Sequence, residues 1–587
     1  MQGIQPETVT RTCADNPSDA GTPSSSKSPR VALLAATASA TALSACGGGG
    51  GGGGGSGGSS TPPPTPTPVI TETQAARFLL QAQFSATDAE VTALRNAGYD
   101  NWLNTQFNTS PSRTGVAFLD SIGHNEITSE GRYFWPQYGD FMIWNQLLTG
   151  SDQMRKRMAL ALSEFFVVSL TPLDGFWPGY AIAAYWDHLT NNAFGNFRTL
   201  LEEITLNPAM GFFLNTRGNL KADTSTGRVP DENYAREVMQ LFTIGLHELN
   251  ADGTENKDSN NRPIDTYTQS DITNLARVFT GYDHSYARVT QTYAPWVGYH
   301  IPSTELVRDR MGLNASNHSP EAVDFLGTHI PANTSGAAAL KTALDTLFNH
   351  PNTGPFFARQ MIQRLITSNP SPAYIGRVSA AFANNGSGVR GDLKAVWRAI
   401  LTDTEARTLN TDPKGGKVRE PMVRFVQLAR TFGHSSSNGR YEIYDTSSSD
   451  NGLGQSPLRS PSVFNFFRPG YVPPNTALAT DGHVAPEFQI HNETTTAGYI
   501  NFLNWFIPWG YNDVRLTFND LSRTTDAAAL VDWLNMKFTA SQLSADTRTT
   551  IRDAINTMPS GSDDDKRRRL HAATLLVMAS PEYLVQK

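Results

Sequence analysis

The sequence predicts an all-α fold: a large multi-helix globule with long loop inserts, behind a disordered Gly/Ser/Pro-rich N-terminal tether. Three observations carry that expectation. Apolar residues recur at spacings of three and four, as at Phe194, Phe197, Leu200, Leu201 and Ile204, which lines one side of a helix. Alternating strand patterns are scarce. Residues 47–60 are nearly all Gly and Ser and 61–68 alternate Thr and Pro, a flexible leash followed by a stiffer extended spacer.

Composition bounds the rest. A chain of 587 residues exceeds one ordinary core, so it divides into lobes or forms one enzyme-sized domain with insertions. With 17% charged residues, 30 Phe, 18 Tyr and 10 Trp it is the opposite of a disordered composition. A net charge of −7 without a long Lys/Arg block excludes nucleic acid or an anionic membrane surface as the main partner, because both need a concentrated positive field. The one basic run, Lys566-Arg567-Arg568-Arg569, directly follows Asp563-Asp564-Asp565 and reads as a solvated helix start.

Residues 31–45 form a short apolar stretch behind Lys27 and Arg30 that ends in Leu43-Ser44-Ala45-Cys46. This is too short for a permanent membrane span and resembles a bacterial lipoprotein signal, with Cys46 as the lipidated first residue of the mature chain. The acidic residues Glu7, Asp15 and Asp19 make an unusually long leading region for such a signal. Cleavage would remove Cys13, so no disulfide could form. The expected organisation is a leader at 1–45, a tether at 46–70 and a helical domain at 71–587. The expected location is exported and lipid-anchored, in the periplasm, at the outer membrane or at the cell surface.

Within the domain, helices are expected at about 151–168, 230–249, 270–280, 337–349, 355–367, 390–402, 417–432, 525–537 and 562–577, several bracketed by Asp, Ser or Pro starts and Gly or Asn-Pro stops. Loop-rich inserts fall at about 251–268, 283–317 and 434–495, where Gly, Pro, Asn and Ser concentrate. No repeat of fixed period is visible, which argues against a regular solenoid.

The 230–249 segment carries the most information. One residue every 100° puts Tyr234, Val238, Leu241, Phe242, Gly245, Leu246 and Leu249 on one side. Glu232, Asn233, Arg236, Glu237, Gln240, Thr243 and His247 take the other, with Glu232/Arg236 and Asn233/Glu237 at i,i+4. That polar flank reads as a solvated face, as a buried network between helices, or as a site. As a site it offers Glu237 and His247 for acid–base work and Glu232, Asn233, Arg236 and Gln240 to orient a ligand.

The string PDENYAREVMQLFTIGLHELNADGT from Pro230, then Tyr267-Thr268-Gln269 with Asp271 and Arg277-Val278-Phe279-Thr280-Gly281, resembles the bacterial family called domain of unknown function 1800. The likeness extends over AFGNFRTLLEEITLNPAM from Ala193, His318, Phe325-Leu326-Gly327, His350-Pro351-Asn352-Thr353, Lys417 to Pro421, SPSVFNFFRP from Ser460, and Ser580-Pro581-Glu582. It covers nearly everything after the tether. The resemblance implies an exported, mainly helical protein whose activity is not established. It also implies a contrast: many relatives carry histidines where this chain has Ser163, Phe165 and Phe242, and only His318 persists. No metal site and no cofactor are therefore expected.

Other candidates are weighed by their surroundings. Glu164 lies inside ALALSEFFVVSL, where a lone carboxylate is costly to bury, with Arg157 as its local partner. It reads as a buried ion pair or, more sharply, as a general acid of raised pKa. His350 reads as a cap or packing residue. Glu420, beside Arg419, is favoured by the dipole of the helix that Pro421 opens. No nucleophile elbow or phosphate-cradling loop occurs. Aromatic rings beside prolines, at Tyr133-Phe134-Trp135-Pro136, Phe176-Trp177-Pro178, Pro295-Trp296 and Trp505-Phe506-Ile507-Pro508-Trp509, would stack on sugars or staple the core.

Three functions follow as expectations. The first is a metal-independent binding or assembly role on an envelope or extracellular polymer such as a polysaccharide, with the polar helix lining its groove. The second is a hydrolase or transferase using Glu237, with Asn233, Arg236 and His247 orienting substrate. The third is a residual metal site at His318, His247 and Asp271.

Overall fold

A computed structural model describes residues 69–587. The leader, nearly all of the tether and Cys46 lie outside the described residues. Among these there are 24 α-helices and five two-stranded antiparallel sheets. The all-α expectation holds, because the strands only clip loops together. No helix among the described residues is long and apolar enough to cross a membrane.

Most expected helices appear within a few residues of their expected bounds: Gly336–Asn349, Thr353–Leu365, Leu393–Thr402, Ala527–Thr539 and Asp563–Ala579. The last opens with a capping box of Ser562 and Asp565, and Lys566, Arg567 and Arg568 each pair with an aspartate three residues back. That basic run is thus a capped helix start, held by local charge pairing along one helix. The buried apolar residues form one continuous core among the described residues. Phe165, Phe166, Phe197, Phe357 and Phe382 pack with ring centroids 4.9–5.8 Å apart, joining the 153–166, 197–205, 353–365 and 372–383 segments. Each such buried ring contributes roughly 1.5–3 kcal/mol.

Three helices stop short of their expected ends. The segment expected at 151–168 is helical only over Gln153–Ser163, after which a turn carries Glu164 to Val167. The segment expected at 417–432 begins at Pro421, because Lys417–Val418 instead pairs with Val585–Gln586 and ties the C-terminus to the core. The largest departure is at 230–249, where the helix is only Asn233–Gln240. The amides of Ile244 and Gly245 fold back onto the Met239 carbonyl, and Gly245 adopts φ 72°. Asn352 then takes over the backbone groups that a longer helix would have satisfied. Its Nδ2 donates to the Ile244 and His247 carbonyls, and its Oδ1 accepts from the Leu249 amide. Beyond that turn, His247 and Leu249 pair in bridges with Asp265 and Glu255, so the 251–268 insert is a ribbon rather than a free loop. Leu246 and Leu249 keep a helical spacing in a non-helical chain, which is why periodicity overran the element.

The proline-flanked aromatics divide in two. Tyr133 and Trp177 are buried 5.8 Å apart, and Trp177 Nε1 donates to the Pro302 carbonyl at 2.7 Å, stapling the Tyr299–Pro302 strand to the Pro178–Asn192 helix. Phe134, Trp135, Trp296, Trp505 and Trp509 stay exposed.

His124 is stacked on Tyr138 at 3.8 Å, with both ring nitrogens buried and unpartnered among the described residues. Burial, and then Arg132, push its pKa down to about 3. Its neutral form therefore contributes stability that is complete above the ordinary histidine range and is lost as pH falls from about 6.5 toward 3, up to about 5 kcal/mol. His124→Phe should gain stability relative to the unmodified protein across that window, read as urea midpoints at successive pH values. Parallel pH dependence of the two proteins would contradict the assignment.

Candidate functional site

Where the Gln153–Ser163 helix ends, the turn swings Glu164 inward beneath a cleft of about 780 Å³. That volume lies within the usual range of ligand sites. Glu164 is 2% exposed, and its Oε2 lies 3.6 Å from Arg364 Nε on the Thr353–Leu365 helix. The nearest cation is thus Arg364, not Arg157. Arg364 also donates to the Glu164 carbonyl, and Arg157 donates to the Arg364 carbonyl. Glu420 sits at the start of the Pro421–Phe432 helix, as expected, and also turns its side chain into the same buried place, where Gln455 donates to its Oε2 at 2.8 Å. Lys417 lies 3.0 Å from Glu487 and 3.9 Å from Glu420. Three carboxyls and three cations thus share one desolvated pocket under the cleft.

The six are not equivalent. Burial is the largest influence on Glu164 and the adjacent Glu420 charge the next, and together they raise its pKa well above the ordinary range against Arg364 and Arg157. Neither Glu164 oxygen has a hydrogen-bond partner among the described residues. Burial also raises Glu487, opposed by Lys417 at contact distance, and lowers Arg157 and Arg364. In such surroundings an ion with no hydrogen bond costs far more than a neutral acid does. Burial thus favours the neutral acid at Glu164. Lys417 stands between Glu487 and Glu420, while Arg364 and Arg157 stand beside Glu164.

The walls come from three segments. The Thr353–Leu365 helix supplies Phe356, Arg359, Gln360 and Gln363. The turn after Gln240 supplies Leu241, Leu246, His247 and Leu249, followed by Glu255 from the ribbon. The SPSVFNFFRP segment supplies Val463, Phe464 and Arg468, held in place because Phe466 and Phe467 are buried behind it. Gln363 clamps that segment by donating to the Pro469 carbonyl, and Asn369 pairs with both backbone groups of Val484. At the rim Phe464 is 37% exposed, with the Arg468 guanidinium 5.1 Å from its ring centre.

The expected site residues separate. Gln240 and His247 line the cleft; Glu232, Asn233, Arg236 and Glu237 do not. Glu232 accepts from Gln269 at 2.8 Å and Thr273 at 2.7 Å, and Arg236 donates to Gln269, so this part of the polar flank links two helices near the surface. Glu237 is buried with Oε2 unpartnered among the described residues, and burial raises its pKa. His247 Nδ1 lies 3.4 Å from Asp265. The metal constellation of His318, His247 and Asp271 does not assemble. Asp271 is occupied by the Thr268 and Leu326 amides, His318 Nδ1 lies 3.0 Å from the Thr280 carbonyl, and no group of three or more His, Cys, Asp or Glu among the described residues is placed to hold a metal ion. Phe165 and Phe242, where many relatives are expected to carry histidine, are buried in the aromatic core with Phe166. His350 accepts from the Asn352 amide as a capping residue.

Sequence reasoning missed Arg359, Gln360, Phe464 and Arg468 as cleft residues. The one signal, for Phe464 and Arg468, was the SPSVFNFFRP string, in which an exposed ring and an exposed arginine flank two buried rings.

Removing Lys417 should strand two carboxylates. Lys417→Met is expected to cost about 3–5 kcal/mol and Glu164→Gln under about 1 kcal/mol, by urea unfolding at pH 7. Because a raised folded-state pKa gives stability that is lost as pH rises through it, Glu164→Gln should also flatten the decline in stability as pH rises above the ordinary glutamate range. Equal costs for the two substitutions would contradict the placement of the proton.

No curated protein and no solved structure matches the chain. The family model described as "Protein of unknown function (DUF1800)" matches residues 77–585. That span takes in the whole cleft and the charge cluster beneath it, and the chain belongs to this family.

Proposed function

We propose that the protein is exported, lipid-anchored through Cys46, and binds a polysaccharide of the cell envelope or its surroundings in the cleft. The observation that carries this reading is the composition of the cleft wall: exposed or half-exposed rings at Phe356, Phe464 and Tyr471 stand beside Gln240, Gln360, His247 and Asn369. Rings offer flat apolar faces to the C–H side of a sugar, while amides and an imidazole satisfy its hydroxyls. The Gly/Ser and Thr/Pro tether after Cys46 would give such a binder reach from a membrane surface.

Electrophoresis of the mature protein through gels containing polygalacturonate or dextran tests the binding. Retardation by at least one polymer is expected, and Phe464→Ala should weaken it about tenfold, the equivalent of 1.4 kcal/mol. No retardation by either, or retardation indifferent to Phe464→Ala, would contradict the site. Labelled palmitate should enter the full-length protein expressed in a bacterium and be absent from Cys46→Ala; equal labelling would contradict the anchor.

A further inference from the structure

We propose that the cleft selects an acidic, carboxylate-bearing polysaccharide, with Arg359 and Arg468 as the groups that grip its repeating anions. This rests on the polysaccharide reading above and names the class of ligand within it.

Arg359 and Arg468 are both exposed and both line the cleft, one from the Thr353–Leu365 helix and the other from the SPSVFNFFRP segment. Among the described residues, most other exposed arginines are paired with a carboxylate. Arg377 is paired with Asp403 and Glu405, Arg262 with Asp258 and Arg288 with Asp309. Among the described residues neither Arg359 nor Arg468 has a carboxylate within ion-pair distance. Arg359 faces Asp252 only at longer range, and that carboxylate already accepts from Thr254. Arg468 is instead laid over the Phe464 ring, which holds the guanidinium plane at the rim without neutralising it. In a chain of net charge −7, two unpaired arginines on one cleft concentrate positive potential.

The buried floor acts in the same direction. Arg364 lines the cleft together with Glu164, so a third guanidinium stands at its floor. Glu255 is the one other acidic residue on the lining. The planar, two-pronged guanidinium matches a carboxylate better than a point charge would, and two such forks on separate walls suit a polymer that repeats its charge.

The test titrates the mature protein with polygalacturonate, dextran and inorganic polyphosphate by the same gel method and by fluorescence. Polygalacturonate is expected to bind at least tenfold more tightly than dextran, with affinity falling as salt rises. Arg359→Gln and Arg468→Gln should each lower that affinity about tenfold and reduce the salt dependence, while leaving the weaker dextran binding unchanged. Dextran bound as tightly as polygalacturonate would overturn the acidic class while leaving polysaccharide binding intact. Polyphosphate bound as tightly as polygalacturonate would also overturn it, because general polyanion adsorption would then suffice. Full affinity in both arginine variants would overturn the assignment of residues. Failure of all three polymers to bind would remove the polysaccharide reading, and this inference with it.

Discussion

The burial of Glu164 among Arg157, Arg364, Lys417, Glu420 and Glu487 is the constraint on which the rest of the site depends. Its members come from the Gln153–Ser163 helix and its end, the last turn of a second helix, the strand and cap that lead into a third, and the short 486–489 turn. Each charge is affordable only because the others are present, so these four pieces of chain are held in one arrangement. The cleft is the space left above them. A cluster of three acids and three bases would be neutral if all were ionised. Burial, and then the adjacent Glu420, favour the neutral form at Glu164.

The same constraint accounts for the shape of the walls. Helix Asn233–Gln240 has to stop early for its following turn to reach the cleft, and Asn352 makes that stop tolerable by satisfying the backbone of residues 244–249. The SPSVFNFFRP segment has no regular structure, yet two buried rings and the Gln363 side chain fix it against the Thr353–Leu365 helix. Rigid support under irregular chain is what a recognition surface needs, since the outward-facing Phe464 and Arg468 lose little freedom on binding.

Much of this was legible from the residues alone. Helical periodicity located the long amphipathic elements, and the apolar run around Glu164 marked a carboxyl that could not be buried alone. What escaped was long-range. Arg364 lies two hundred residues from Glu164 in the chain, so local spacing pointed to Arg157 instead. The polar flank at 231–247 was read as one surface because the hydrophobic period continues past Gln240. The chain breaks there for a reason only the fold supplies, the packing of Gly245 against Phe356 and the bonds to Asn352. Glu232 and Arg236 consequently join the next helix while Gln240 and His247 reach the cleft.

The protonation of Glu164 at neutral pH is the most direct point of attack on this account. Infrared difference spectroscopy of the mature protein against Glu164→Gln at pH 7 should show a protonated-carboxyl C=O band in the unmodified protein that the variant lacks. A difference spectrum showing only a lost carboxylate band would mean that Glu164 is ionised. Arg364 and Arg157 would then outweigh burial at that carboxyl, and the neutral-acid reading of the cleft floor would fail.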